Sequence, residues 1–181
     1  MNKFFKELLH TGIYLLILLG ITYLFVAFVG QRTQVSGDSM LPTLNDGDNL
    51  IVDKISYRFN DPQRFDIVVF PPRSEPNRLF IKRIIGLPGE TVQIDENGNI
   101  YIDGELLVET YGREAINSEH IGIASEPILL GVNEYFVLGD NRNNSTDSRY
   151  AGVGNIRRDE IIGKAWLRIW PFSEFGILQH Q

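Results

Sequence analysis

The hydrophobic and polar positions divide the chain into two parts with different patterns. From Leu8 to Gln31 no side chain carries a fixed charge, and residues 12–29 form an almost continuous apolar run. A helix of about 20 such residues spans the hydrocarbon core of a bilayer. After this run, short apolar segments alternate with turn signals, which is typical of β-strands. The pattern predicts one transmembrane helix followed by a β domain.

The apolar run is interpreted as an uncleaved anchor. Its exit reads AFVGQRTQ, which lacks the small-x-small site that follows a cleavable signal peptide. Lys3 and Lys6 lie on the short side, so the positive-inside rule predicts a single pass with a cytoplasmic N-terminus, although Arg32 on the far side opposes this bias. The predicted domains are a cytoplasmic stretch at 1–11, the anchor at 12–30 and an extracytoplasmic β domain at 31–181. A buried core helix is the alternative.

Seven strands are predicted in the body, at residues 49–53, 66–70, 78–85, 91–95, 100–103, 135–138 and 161–170. The hairpin VQIDENGNIYIDG carries the clearest signal, because Asn97-Gly98 favours a type I′ turn between twisted strands. Residues 110–125 show no clear period and are predicted to form an irregular insertion. Together these signals predict one mainly β, mostly antiparallel domain.

Composition and charge exclude several classes of function. The net charge of −6 divides into +1 for the first thirty residues and −7 for the rest, so a basic face for nucleic acid is not expected. Without cysteine there is no thiolate nucleophile and no cysteine-ligated metal site. His10, His120 and His180 lie too far apart for a metal-ligand spacing. We therefore expect no metal and no cofactor.

Lysine is the general base that remains available to activate a serine. His120 lies in the irregular segment, where an exposed loop histidine is the simpler interpretation. Burial lowers the pKa of a lysine and makes it a competent base. Lys82 lies in RLFIKRIIGLPGE, and on an extended strand it shares a face with Phe80 and Ile84. A solvated lysine on an edge strand is the alternative, and Lys54 and Lys164 lack such apolar neighbours.

Two further segments carry candidate chemistry. VSGDSMLPTL places Ser39 behind a glycine, just after the anchor, where free backbone N–H groups could meet an oxyanion. Its alternative is a turn that happens to contain a serine. GDNRNNSTDSR, at 139–149, has no apolar side chain yet follows a strand of the buried type. It is either a solvated loop or a hydrogen-bonded shell around a buried cation.

Four motifs in order, SGDSMLPTL, RFDIVVF, FIKRIIGLPGE and GDNRNNSTDSR, begin just after the anchor. In this arrangement the chain resembles the type I signal peptidases, from the anchor through about residue 170. The resemblance implies two antiparallel β-sheets built around a Ser-Lys dyad, without metal or cofactor. It also implies a membrane-bound serine endopeptidase that cuts signal peptides from secreted precursors after small residues, of the Ala-x-Ala type. The expected partners are these precursors and the lipid bilayer.

The resemblance also implies roles for individual residues. Ser39 is similar to the nucleophile, with its main-chain N–H as an oxyanion donor, and Lys82 is similar to the general base. Ser145 is similar to the serine that orients this lysine. The remaining residues are implied in the substrate cleft (Met40, Phe80 and Ile81) and in two structural pairs (Arg83 with Asp140, and Asp147 with Arg149).

The chain departs from the family pattern at two places near these motifs. Some members have a serine two residues before the nucleophile, where this chain has Gly37. The second motif often reads Arg-Gly-Asp and here reads Arg64-Phe65-Asp66. The connection between Glu90 and Glu134 is also short, with little room for an extra domain.

Two other functions stay open at this point. A self-cleaving Ser-Lys protease of related fold would need a DNA-binding helical domain ahead of the β domain. A non-enzymatic anchored β module would tolerate loss of Ser39 or Lys82. A separate question concerns the tail WLRIWPFSEFGILQHQ, whose apolar residues are expected to close the β core, with contact to the bilayer surface as the alternative. These residues are Trp170, Phe172, Phe175, Ile177 and Leu178.

Overall fold

A long helix precedes the β body in the computed structural model, which describes residues 3–28 and 30–178. Helix α1 (Lys3–Phe28) contains a candidate membrane span at Phe5–Tyr23, with a mean hydropathy of 1.4. This stretch packs against nothing in the protein. The helix is therefore long and apolar enough to cross a membrane, and it starts nine residues before the predicted span. His180 lies outside the described residues.

The body contains twelve short strands and one short helix within the described residues. They are β1 (Gly30–Gln34), β2 (Asn49–Asp53), α2 (Ser56–Phe59), β3 (Ile67–Phe70), β4 (Phe80–Gly86), β5 (Thr91–Ile94), β6 (Ile100–Ile102), β7 (Glu105–Leu106), β8 (Ile128–Leu129), β9 (Glu134–Leu138), β10 (Ile156–Arg157), β11 (Gly163–Trp170) and β12 (Gly176–Ile177).

These strands form two antiparallel sheets. The larger sheet has the order β1-β2-β11-β3-β4-β9-β10, and β12 pairs with β11 beside this path. The smaller sheet has the order β7-β6-β5-β8 and occupies the connection between Glu90 and Glu134. The predicted mainly β fold with two antiparallel sheets and an N-terminal apolar helix is confirmed. β4 lies between β3 and β9, but β9 pairs with it only from Arg83 onward, so Lys82 is paired on one side, with Val68. The alternative of a solvated lysine is wrong because the side chain of Lys82 is buried.

All seven predicted strands are present, and β2 has the predicted bounds. The sequence did not reveal β1, whose residues GQRTQ have no apolar alternation, or the two-residue strands β7, β8, β10 and β12. Residues 110–125 contain two 3₁₀ turns, Ser118–His120 and Gly122–Ser125, as expected for an irregular insertion. Short polar strands are missed because their pairing partners, rather than their own residues, determine their conformation.

The predicted type I′ turn at Asn97-Gly98 is wrong. A type I′ turn needs positive φ at both central residues, and here only Gly98 has it, at 80°. The Asp95 side chain accepts hydrogen bonds from the N–H groups of Asn97 and Asn99, and this favours a wider loop. The two-residue turn occurs at the next corner, where Asp103 and Gly104 have φ of 53° and 81°.

Three clusters of buried apolar side chains hold the sheets together. One fills the space between the smaller sheet and strands β4 and β9. The second, which includes Met40, Leu44 and Ile81, lies under the turn that carries Ser39. The third packs Phe80 and Ile84 with residues of β3 and β9. Phe80 and Ile84 therefore share one side of β4, as the period of two predicts.

The expectation that the C-terminal tail closes the core is wrong for most of its residues. Leu178 is buried in the second cluster. In contrast, Trp170 is 50% exposed, Phe172 75% and Phe175 60%, and Ile177 is exposed as well. The two rings of Trp170 and Phe172 pack edge to face, with centroids 4.9 Å apart. Strand β12 pairs at the margin of the sheet, so only one of its faces meets the core.

Candidate active site

Ser39 and Lys82 meet through their side chains, although 43 residues separate them. Lys82 Nζ lies 2.7 Å from Ser39 Oγ, within hydrogen-bond distance. Lys82 Nζ also donates to the carbonyl of Ile81 at 3.0 Å. The two residues come from different parts of the body, because Ser39 lies in the turn after β1 and Lys82 lies in β4.

Lys82 is buried, and no carboxylate of residues 3–28 or 30–178 forms an ion pair with it. It is 4% exposed, and its ammonium lies over the ring of Phe80, 5.1 Å from the ring centroid. Burial lowers the pKa of Lys82 to about 8, against the partly opposing charges of Asp147 and Asp140. A lysine with this pKa is neutral in a useful fraction of molecules near neutral pH. It can therefore accept a proton from the adjacent hydroxyl.

A tight turn presents Ser39 to the lysine. Leu41 N–H donates to the Asp38 carbonyl at 3.2 Å, and Leu44 N–H donates to the Met40 carbonyl at 2.9 Å. Met40 is buried beneath the turn and so fixes its position. The main-chain N–H of Ser39 makes no hydrogen bond within the described part of the chain. It is available to a ligand beside the hydroxyl.

A groove of about 300 Å³ opens directly onto the two side chains. Two extended stretches, residues 33–36 and 78–82, form its walls, together with Ser39 and Met40. β1 pairs only with β2, and β4 pairs with β9 only from Arg83 onward. Both walls therefore present backbone groups that no neighbouring strand uses. An extended peptide can pair with such edges as an added strand.

The polar loop at residues 139–149 packs against the turn of Ser39. Asn141 donates from its N–H to the Ser39 carbonyl and from Nδ2 to the Asp38 carbonyl, each at 3.0 Å. Gly139 has no room for a side chain, because a Cβ there would lie 2.5 Å from the Ser39 carbonyl oxygen and 2.2 Å from Ser145 Oγ. The loop is therefore a buried shell of the site rather than a solvated loop.

Two buried ion pairs brace this shell. Arg83 donates from Nε and Nη2 to both carboxylate oxygens of Asp140, at 2.8 and 2.7 Å. Arg149 binds Asp147 in the same two-point manner, with both distances 2.8 Å. All four side chains are almost completely buried. The structure thus brings together the two pairs that the resemblance implied, Arg83 with Asp140 and Asp147 with Arg149.

Ser145 lies at the site but makes no hydrogen bond to Lys82 within the described residues. Its Oγ is buried next to Gly139 and has no hydrogen-bond partner among the described residues. The ammonium of Lys82 is instead held by Ser39 and the Ile81 carbonyl. The expected hydrogen bond between Ser145 and Lys82 is therefore absent from this structure.

Several supporting residues were not found from the sequence. Asn141 was inside the recognised polar motif and could have been singled out there. Tyr111, whose ring lies 3.7 Å from the Arg83 guanidinium, gave no signal, since it falls in the irregular segment. Glu109 also gave none, although it pairs with buried Arg142 at 2.6 Å. Thr43 donates its hydroxyl to Asp140.

The structure explains the two departures from the family pattern. Gly37 has a φ of 89°, which a side chain rarely adopts, and its N–H donates to Asp46 at 2.8 Å. Phe65 keeps a φ of 70° without being glycine. Its ring is buried against Tyr111, with centroids 5.2 Å apart, and its carbonyl accepts a hydrogen bond from Arg83. Burial of the ring offsets a backbone strain of about 1–2 kcal/mol.

The ring of His120 contacts Tyr150 and Glu119 rather than Ser39 or Lys82. Its ring lies 3.3 Å from the Tyr150 hydroxyl and 3.5 Å from Glu119, and it is partly exposed. Its carbonyl accepts a hydrogen bond from Arg149. Within residues 3–28 and 30–178, no three side chains of the metal-binding types come together. The histidine therefore belongs to the irregular segment, as expected.

The comparison with protein families identifies this arrangement. The family model described as "Signal peptidase, peptidase S26" matches residues 8–170 of the chain. The chain belongs to this family of signal peptidases. The resemblance to type I signal peptidases is thereby confirmed.

Two curated relatives and one solved structure illustrate the similarity. The chain is 42% identical over 156 residues to a probable signal peptidase I-2 of Synechocystis sp., over 83% of this chain and 68% of the relative. It is 44% identical over 158 residues to a signal peptidase I of Leptolyngbya laminosa, over 83% of this chain and 74% of the relative. A crystal structure of a signal peptidase I from Enterococcus faecalis V583 is 35% identical, with a TM-score of 0.48, over 58% of this chain and 97% of that one.

Proposed function

We propose that the chain removes signal peptides from secreted precursors by acyl transfer, with Ser39 as the nucleophile and Lys82 as the general base. Membership of the signal peptidase family supports the activity. The single observation that carries the two assignments is the 2.7 Å contact between Lys82 Nζ and Ser39 Oγ, made by a lysine whose pKa burial lowers to about 8.

The reaction follows from this contact. Neutral Lys82 accepts the Ser39 proton while Oγ bonds to the carbonyl carbon of the scissile peptide, and the carbonyl electron pair moves to oxygen. The main-chain N–H of Ser39 donates to the oxyanion. The protonated lysine then gives its proton to the leaving amine. Water, activated by the same lysine, releases the cut signal peptide from Ser39.

Ser145 has a second-step role in this proposal. Its hydroxyl is buried beside Ser39 without a partner of its own among the described residues. Once Ser39 has been acylated, its Oγ no longer serves Lys82, and the unpartnered Ser145 hydroxyl is an acceptor toward which the flexible lysine side chain can turn. The lysine then stays oriented toward the acyl group while water attacks.

The groove supports binding of an extended precursor segment. Its open strand edges can pair with the backbone on either side of the scissile bond. Met40, Phe80 and Ile81 fill the space beneath and beside Ser39, with Met40 and Ile81 buried. The preference for small side chains of the Ala-x-Ala type is carried into this proposal from the family resemblance.

The charges beside the anchor support an orientation of the chain in the membrane. Lys3 and Lys6 lie at the start of α1, so the positive-inside rule favours a cytoplasmic N-terminus and a body on the outer face of the cell membrane. A cysteine introduced at exposed Glu96, in a chain that has no other, tests this. A membrane-impermeant maleimide should label it in intact, right-side-out vesicles. Labelling only after permeabilisation would contradict the orientation.

Cleavage of one signal-bearing precursor by the full chain in detergent tests the dyad. Ser39→Ala and Lys82→Met should each reduce cleavage by about 10³-fold or more, with no loss of melting temperature. Ser118→Ala, at an exposed serine of the irregular segment, and Lys54→Met are matched controls that should stay active. Cleavage by either dyad variant at the parental rate would reject the mechanism and favour a non-enzymatic binding module.

A further inference from the structure

The peptide unit between Asp38 and Ser39 carries the N–H that the proposed mechanism uses on the oxyanion. No hydroxyl supports it from the position two residues earlier, because that residue is Gly37. The N–H of Gly37 is itself donated to Asp46. The strength of the oxyanion interaction therefore depends on the direction in which one peptide plane is held.

Asn141 holds this plane from the opposite side. Its Nδ2 lies 3.0 Å from the Asp38 carbonyl oxygen, and Leu41 N–H adds a longer bond of 3.2 Å to the same oxygen. Asn141 also donates its own N–H to the Ser39 carbonyl, so the loop contacts the peptide units on both sides of Ser39. The side chain is buried and so has little freedom to move.

Because the peptide unit is trans, the contact of Asn141 with the Asp38 carbonyl also determines where the Ser39 N–H points. The C=O and N–H of a trans unit point to opposite sides, and the unit between Asp38 and Ser39 is trans. A carbonyl held toward Asn141 therefore turns the Ser39 N–H away from the polar loop. Ser39 borders the groove, whereas no residue of 139–149 does. The N–H is thus directed toward the groove side.

We propose that Asn141 is a positioning residue of the reaction, whose amide fixes the Asp38 carbonyl so that the Ser39 N–H meets the oxyanion. The proposal rests on the function proposed above. Asn141 does not touch the substrate in this role. It acts only when negative charge develops on the scissile carbonyl oxygen, so it affects the transition state more than substrate binding.

Replacement of the amide should lower kcat and leave KM unchanged. Asn141→Ala removes the donor, and we expect a loss of about tenfold in kcat, less than the 10²–10³ that follows removal of an oxyanion donor itself. Asn141→Asp keeps the shape but presents an acceptor to the carbonyl. Rates are compared on the high-pH plateau, where Lys82 is neutral in every variant. Asn143→Ala is the matched control, because Asn143 Nδ2 donates to the Ala115 carbonyl at 2.9 Å in the same loop.

The affinity for a peptide aldehyde, relative to the corresponding alcohol, distinguishes a positioning role of Asn141 from a merely structural one. Ser39 Oγ bonds to the aldehyde carbon, the Ser39 proton passes to neutral Lys82, and the electron pair of the C=O bond moves to oxygen. No leaving group is needed, and the oxyanion so formed accepts a hydrogen bond from the Ser39 N–H. The corresponding peptide alcohol cannot form this adduct. Asn141→Ala should weaken the aldehyde by the same factor as kcat and leave affinity for the alcohol unchanged. Asn143→Ala should change neither affinity.

Each outcome separates the proposals. Full activity of Asn141→Ala, or an equal loss of aldehyde and alcohol binding, would overturn the role of Asn141 while leaving Ser39→Ala inactive. A shifted pH midpoint in Asn141→Ala would also overturn it, because the residue would then act through Lys82. Active Ser39→Ala would instead reject the proposed function. Melting temperatures of all variants verify that each is folded.

Discussion

Two neighbouring residues of β4, Lys82 and Arg83, are both buried cations, and the protein treats them in opposite ways. Arg83 faces the polar loop and makes a two-point ion pair with Asp140. Lys82 faces Phe80 and Ser39 and has no carboxylate partner in the part of the chain that the structure describes. The fold keeps the arginine charged by pairing it, and it lowers the pKa of the lysine by burying it unpaired.

The two buried ion pairs also affect the pKa of Lys82. Asp140 and Asp147 are the acids whose charges raise the pKa of Lys82. Each is already engaged by an arginine, and Arg149 further lowers the pKa of the lysine. An acid free to approach Lys82 would keep it protonated and inactive. Occupying both carboxylates is therefore part of how the site maintains a neutral base.

The largest expected effect on stability comes from breaking the ion pair between Arg83 and Asp140. Asp140→Ala leaves Arg83 buried and uncompensated, and we expect a loss of about 3–5 kcal/mol in the free energy of unfolding. Asp159→Ala removes the acid of an exposed pair with Arg157 and should change it by less than about 1 kcal/mol. Denaturant unfolding of both variants in detergent measures the difference. Equal losses would remove the distinction between buried and exposed pairs.

Replacement of the unpaired Lys82 should change the free energy of unfolding in the opposite direction. The pKa of Lys82 is about 8 in the folded chain, whereas an unburied lysine has an ordinary pKa of 10.5, so the unfolded chain binds the proton more tightly. The free-energy cost of burying the charged lysine is fully present below pH 8, and it disappears as pH rises from 8 to 10.5. Lys82→Met should therefore stabilise the chain at pH 6 by ~3 kcal/mol, from about 1.4 kcal/mol for each pKa unit.

Lys164→Met is the matched comparison for this measurement. Lys164 Nζ lies 2.6 Å from Asp66, so its charge is paired. Its replacement should lower the free energy of unfolding at pH 6, whereas replacement of Lys82 should raise it. Thermal unfolding at pH 6 and pH 10 follows both. Destabilisation by Lys82→Met at pH 6 would contradict the assigned burial penalty.

The pH dependence of cleavage sharpens the same comparison. Activity requires neutral Lys82, so kcat/KM should rise about tenfold per pH unit below the pKa and level off above it. The half-maximum should lie near pH 8. Initial rates between pH 6 and 9.5 measure the profile, and Lys54→Met should not move it. A flat profile, or one that falls with rising pH, would exclude lysine as the base.

The smallest effect is expected at a histidine outside both regions. His120→Ala removes a ring that contacts Tyr150 and Glu119, while the His120 carbonyl that Arg149 uses remains. Cleavage of the precursor should stay within about twofold of the parental rate. A large loss with unchanged melting temperature would revive a histidine-dependent mechanism.

The sequence predicted the parts of this site whose environment is local. Phe80 and Ile84 lie two residues from Lys82, so the period of two offered burial of the lysine beside the alternative of a solvated edge lysine. The polar motif at 139–149 likewise offered a hydrogen-bonded shell beside the alternative of a solvated loop. The apolar run of α1 and the seven apolar strands were found for the same reason.

What the sequence did not predict depends on distant pairing. The strand β1 is polar and exists because β2 pairs with it. Tyr111 stacks on Arg83 from a segment without any periodic pattern. The tail looked like core from composition, but only Leu178 turns inward. The missing contact between Ser145 and Lys82 is a matter of side-chain placement, which no residue spacing determines.

The contacts of the site join parts of the chain that are far apart in sequence. Lys82 meets Ser39 across 43 residues, Arg83 meets Asp140 across 57, and Asn141 meets Asp38 across 103. Contacts of such high order form late, because each must first close a long loop. A chain that has folded only its first strands holds neither a base nor a braced nucleophile. Peptidase activity should therefore appear only after the polar loop at 139–149 has packed against the turn of Ser39, so a partly folded chain stays inactive.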